Sequence, residues 1–244
     1  MQVPSGRTFD GNDLELIRYL HRYGSDRYSA RPFRLRSGIQ SRVYVGLGRE
    51  DTTDNPGFER AVGWRIHCAV AKLMEEAPDD PRWWGLIGIP TAGTVLAQAA
   101  VMAPTLGGYP ESVDQCPHVI FHRVMRETLK QHGDNPTWVN GRPDESRHRY
   151  VLLDNTDTDG QTKSETIPRL AHDGYAAKNM PLIIVIDREQ GGVQRLERLE
   201  LFERVVVMYN LLDIVFAFGA LKLWSPEAVK AIEEEIRTNQ FAPA

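Results

Sequence analysis

Cysteine is nearly missing from this 244-residue chain: Cys68 and Cys116 are the only two, and neither stands in a paired spacing. That excludes a disulfide framework and the common zinc and thiol-redox patterns, and leaves buried free thiols in a reducing compartment as the expectation. No apolar stretch approaches the roughly 20 residues of a membrane span. The first ten residues lack a basic region followed by an apolar run, so neither an anchor nor an export signal is expected, and a cytoplasmic location follows. Basic charge is not in excess: 29 Lys and Arg against 33 Asp and Glu give a net charge of −4, which argues against a nucleic-acid partner. His21, His67, His118 and His122 form no metal-ligand set. Repeats, low-complexity tracts and linkers are absent too, so residues 1–244 are read as one domain with a sizeable core.

What is present is alternation. Leu14, Ile17 and Leu20 recur at helical spacing before Gly24. Val62, Ile66, Ala69, Val70 and Leu73 do so after the breaker Asn55, Pro56, Gly57, predicting a helix over 58–74. Strand-like runs at 85–89, 119–122, 151–154, 182–187 and 205–208 interleave with helix-like runs at 94–102 and 163–172. Such alternation predicts an α/β fold, a mostly parallel central sheet flanked by helices. Ser225 before Pro226 and Glu227 is a capping signal for a terminal helix over 226–237, with Glu233, Glu234 and Glu235 on a solvated face. The pair Trp83 and Trp84 reads as core or interface. Residues 123–149 carry charge and Gly133, Asn135, Pro136, Gly141 and Pro143 without periodicity, as a functional or disordered loop does.

The most informative segment is Tyr150-Val-Leu-Leu-Asp-Asn-Thr-Asp-Thr-Asp-Gly-Gln-Thr162, where an apolar strand runs into acids and a glycine turn before a helix. Gly160 permits a tight turn, and Thr162 or Ser164 can cap a helix whose free N–H groups favour an anion. The carboxyl end of such a strand is where open α/β sheets bind ligands. Asn155, Asp157 and Asp159 before Gly160 also imitate the start of a calcium loop. However, the twelfth position is Thr166 and a strand precedes the segment, so magnesium recruited with a phosphorylated ligand is the better metal hypothesis.

This segment resembles the ribose-phosphate signature of type I phosphoribosyltransferases, and four others in order are similar to those of orotate phosphoribosyltransferases. They are Phe33-Arg-Leu-Arg-Ser-Gly-Ile-Gln-Ser41 with Tyr44, Gly88-Ile-Pro-Thr-Ala-Gly-Thr-Val-Leu-Ala97, Arg126-Glu-Thr-Leu-Lys-Gln-His-Gly133 and Asp187-Arg-Glu-Gln-Gly-Gly192. The resemblance implies a small amino-terminal hood over about residues 1–50 and a mobile catalytic loop within 123–149. It implies transfer of ribose 5-phosphate from phosphoribosyl diphosphate (PRPP) to orotate, with Mg2+, in a homodimer. On that resemblance Asp154, Asn155, Thr158, Asp159, Gly160, Gln161 and Thr162 hold the ribose phosphate. Thr91, Ala92, Gly93 and Thr94 hold the diphosphate, and Arg36 with Arg188 binds the base; Phe33 and Tyr44 either line that pocket or pack in the core. Arg126, Lys130 and His132 neutralise the leaving group. The chain departs from the family at Glu127 (Lys there), Asn155 (an acid), Asp157 (apolar) and Asp159 (small and neutral). These departures admit a second reading, a non-catalytic nucleotide- or PRPP-binding protein on the same fold, and a third, an enzyme for another base or for an unphosphorylated ribosyl ligand.

Overall fold

Seven consecutive buried residues, Pro181–Asp187, form the strand that organises this molecule, because only a strand covered on both faces can be buried throughout. The computed structural model describes residues 1–24, 26–35, 37–104, 120–128 and 137–239. Its strands are β1 (Asp26–Arg34), β2 (Gln40–Val45), β3 (Trp83–Gly88), β4 (Phe121–Val124), β5 (His148–Asp157), β6 (Pro181–Asp187) and β7 (Arg204–Asn210). Its helices are α1 (Gly11–Arg22), α2 (Glu50–Thr53), α3 (Pro56–Glu75), α4 (Ala92–Met102), α5 (Gln161–His172), α6 (Gly192–Arg198), α7 (Leu211–Ala220) and α8 (Pro226–Thr238). Strands β3 to β7 make one parallel sheet, as the alternation predicted, in the order β4-β3-β5-β6-β7. A separate antiparallel hairpin, β1 with β2, forms the hood.

Strand parity divides the core. Leu86, Val151, Leu153, Ile183 and Val185 share one apolar cluster with Leu16, Val62, Leu96, Ile214 and Ile232 of helices α1, α3, α4, α7 and α8. Ile87, Leu152, Leu182 and Ile184 face α5 and α6 through Leu170, Val193 and Leu196. Helix α8 starts as expected, with Ser225 Oγ accepting from the Ala228 N–H at 3.3 Å. Asp10 caps α1 in a reciprocal pair with Asp13.

Several expectations are corrected. Strand β5 runs three residues past Asp154, so Asn155, Thr156 and Asp157 belong to it and pair along β6. Helix α5 opens at Gln161 on Gly160, whose φ of 74° is left-handed; neither Thr162 nor Ser164 caps it, and Ser164 Oγ instead donates back to the Gly160 carbonyl. Trp84 is core, stacked beneath Arg149, whereas Trp83 is exposed. Cys68 is a half-buried free thiol, and Cys116 lies outside the described residues. Glu235 is no solvated residue: its side chain is 7% exposed and accepts from the Arg42 N–H at 2.6 Å. It shares a helical stripe with Ala228, Ile232 and Ile236, which are all buried.

Candidate ligand site at the carboxyl ends of β3, β5 and β6

Three chain segments meet at this edge of the sheet. After β3, the Pro90–Thr91 peptide is cis and α4 starts at once, with the Gly93 N–H on the Ile89 carbonyl at 3.0 Å. Only glycine fits at two points there: a Cβ on Gly88 would lie 2.2 Å from the Gly93 carbonyl oxygen, and one on Gly93 would lie 2.4 Å from that of Leu153. The turn at 91–94 therefore rests directly on the end of β5. The chain leaving the hood closes the third side. Asn155 Nδ2 donates to the Leu47 carbonyl at 2.8 Å, and Gly48, at φ +80°, abuts Ala92.

The strand end itself is held by a cation absent from the sequence expectations. Lys163, in the first turn of α5, is 3% exposed and reaches under the loop. Its Nζ lies 2.8 Å from Asp154 Oδ2 and 3.2 Å from Asp157 Oδ1, and it donates to the Thr156 carbonyl. Burial opposes its charge, but Asp154 and Asp157 outweigh burial and hold the ammonium above its usual pKa. Burial raises the Asp157 carboxyl, with Lys163 opposing. The other Asp154 oxygen accepts from the Asn155 N–H at 2.9 Å.

In the loop between β5 and α5, two N–H groups are taken by the chain's own carboxylates. The Gly160 N–H donates to Asp157 Oδ1 at 3.1 Å and the Gln161 N–H to Asp159 Oδ1 at 3.0 Å. Gly192 packs so close that a Cβ there would sit 1.8 Å from Asp157 Oδ2. Thr158 and Thr162 flank this turn, half-buried.

Arg188 follows β6, with its N–H on the Asp157 carbonyl at 3.0 Å, and its side chain is 3% exposed. Its guanidinium donates to the Val43 carbonyl at 3.2 Å and to Ser41 Oγ at 2.7 Å, and stands 3.8 Å from Glu235 Oε1. It thereby ties the hood hairpin to α8 and the sheet. Burial lowers its pKa, offset by Glu235 and Asp26. Asp26 is buried with neither oxygen hydrogen-bonded, and its carboxyl is pushed up to about 7 by burial, against Arg188. Burial likewise raises Asp187 to about 7, although its Oδ1 accepts from the Glu189 N–H.

An acid whose folded pKa is raised stays protonated in the fold while the unfolded chain ionises. Asp26 and Asp187 therefore favour the fold most below the unfolded value of 3.8, and that contribution is lost as pH rises to about 7. The urea midpoint of Asp26→Asn should exceed that of the wild type more at about pH 7.5 than at about pH 5. An equal difference at both would refute the assignment.

Arg126 begins the polar loop. A bridge between Met125 and Trp138 joins the two ends, and the Arg126 N–H donates to the Thr137 carbonyl at 2.7 Å. Its side chain is half-buried. Lys130, His132 and Arg36 lie outside the described residues. Phe33 and Tyr44 face each other across the hairpin with ring centroids 6.3 Å apart. Lys163 and Glu235 are the site-edge residues that sequence reasoning missed. Glu235 could have been found from its place on the apolar stripe of α8, whereas Lys163 carries no periodic signal.

No family model matches the sequence, and no curated protein matches it. Solved structures do. UMP synthase of Leishmania donovani superposes with a TM-score of 0.65 at 16% identity over 93% of this chain, which spans 43% of that protein. Orotate phosphoribosyltransferase of Mycobacterium tuberculosis gives 0.56 at 20% identity, covering 83% of this chain and 98% of that one. Orotate phosphoribosyltransferase of Aeropyrum pernix gives 0.55 at 19% identity, covering 84% and 99%. With a five-stranded parallel sheet, a separate hairpin hood and a glycine-built turn against the central strand, this chain has the type I phosphoribosyltransferase fold.

Proposed function

We propose that the chain transfers ribose 5-phosphate from PRPP to orotate, giving orotidine 5-phosphate and diphosphate. The observation that carries the proposal is the meeting of the 91–94 turn, the end of β5 and the chain leaving the hood through the Asn155–Leu47 hydrogen bond and the Gly88–Gly93 contact. In this reading Asn155 and residues 158–162 receive the ribose phosphate, and residues 91–94 the diphosphate. Arg36 faces the base; Arg188, expected to bind it too, is buried with its guanidinium on Val43, Ser41 and Glu235, and holds the hood in place instead. Arg126, Lys130 and His132 offset the charge of the departing diphosphate, in a pocket where each cation counts for more than in water. A homodimer sharing loops between its sites belongs to the same proposal. Orotate should be consumed only when PRPP is supplied, and Arg126→Ala should lower turnover by about a hundredfold. Orotate left unconsumed, or turnover indifferent to Arg126, would count against it.

Magnesium is implied by the fold, and the residues present do not fit it at this strand end. Both Asp154 oxygens are engaged, by Lys163 and the Asn155 N–H, and the neighbouring residue is an amide. No group of three or more His, Cys, Asp or Glu suited to a metal occurs among the described residues.

One observation favours the second reading, a ligand-binding protein on the same fold: the chain's own carboxylates occupy the anion positions, Asp157 and Asp159 at the loop N–H groups and Glu235 beside Arg188. A phosphate entering the loop must displace Asp159. Asp159→Ala should therefore tighten PRPP binding by about tenfold, near 1.4 kcal/mol, in calorimetry. Unchanged or weaker binding would show that the 5-phosphate does not compete with this carboxylate.

A further inference from the structure

The carboxylates at the end of β5 are already neutralised, and the neutralising group is part of the chain. A divalent magnesium ion demands near-octahedral oxygen ligands and is held by one or two free carboxylates plus its substrate. Here Asp154 has one oxygen on Lys163 Nζ at 2.8 Å and the other on the Asn155 N–H at 2.9 Å. Asp157 shares the same ammonium at 3.2 Å and is sealed beneath Gly192. Asp159 is turned onto the Gln161 N–H, and the amide of Asn155 is spent on Leu47. Lys163 cannot easily leave: it is fixed by the first turn of α5, almost wholly buried, and also donates to Thr156.

We propose that Lys163 is the resident cation of this site, and that the chain takes its ribosyl ligand with no divalent ion bridged to the protein at the end of β5. The proposal rests on the ribosyl-ligand reading above and assigns to a side chain the charge that a metal would supply. It also accounts for Asp157 and Lys163 together: the two side chains form one buried unit, and each would be costly without the other.

Two measurements test it. In the first, Mn2+ is titrated into the full chain and followed by electron paramagnetic resonance. The wild type should show no Mn2+ site that depends on Asp154, and the paired substitution Asp157→Val with Lys163→Met, which frees Asp154 Oδ2, should gain one. A wild-type Mn2+ site abolished by Asp154→Asn would overturn the proposal, whether or not the paired variant folds. In the second, PRPP affinity is measured with magnesium and with a chelator. The two values should agree within about twofold, and a tightening of about tenfold with magnesium would overturn it. If PRPP binds in neither condition, the phosphoribosyl reading fails and the Mn2+ titration alone decides the role of Lys163.

Discussion

Lys163→Met is expected to lower the unfolding free energy by about 3–5 kcal/mol, because it leaves Asp154 and Asp157 buried with no counter-charge. The substitution is nearly volume-conserving, so packing alone would cost far less. Adding Asp157→Val should recover part of the loss, because one of the two stranded carboxylates is removed while Asp154 stays buried without its counter-charge, and contacting residues are not additive. Urea unfolding of the wild type, the single variants and the double variant closes the cycle. A single variant within about 1 kcal/mol of wild type, or a double variant as unstable as Lys163→Met, would show that the three groups do not act as a unit.

Arg188→Met should cost a similar amount, about 3–5 kcal/mol, for the same reason in another place. Arg188 is the counter-charge to Glu235 and Asp26, and its two donors hold Ser41 and Val43 of the hood. The loss should therefore be uneven. Amide hydrogen exchange in β2 should quicken more than in β6, whose seven residues are buried in the sheet. Arg188→Lys should recover only part, since one ammonium cannot reproduce a fork that bonds a carbonyl and a hydroxyl together. Uniform exchange across both strands would mean that Arg188 does not pin the hood.

Much of this architecture is legible in the sequence, and the reasons for the rest are physical. The buried strands announce themselves as apolar runs bounded by turn residues, and the parallel sheet follows from their alternation with helices, although the order of its strands does not. Helix α7 does not: Leu211–Ala220 is apolar almost all round, so it has no polar face for periodicity to detect. The acids after Asp154 signal a loop, yet Asp157 remains in the ladder opposite Asp187, made tolerable by Lys163. Glu235 reads as solvent-facing until its stripe is counted. The Arg188 side chain stands at a motif position, but no local pattern reveals that Ser41, Val43 and Glu235 already occupy it.

The measurement that bears most directly on the central claim is diphosphate release from PRPP, with orotate present or absent and with Lys130→Ala beside the wild type. Release that requires orotate and disappears in Lys130→Ala is the result expected of an orotate phosphoribosyltransferase built on this site. No orotate-dependent release from a chain that still binds PRPP would contradict transfer to orotate and leave the fold in the service of another base or of ligand binding alone.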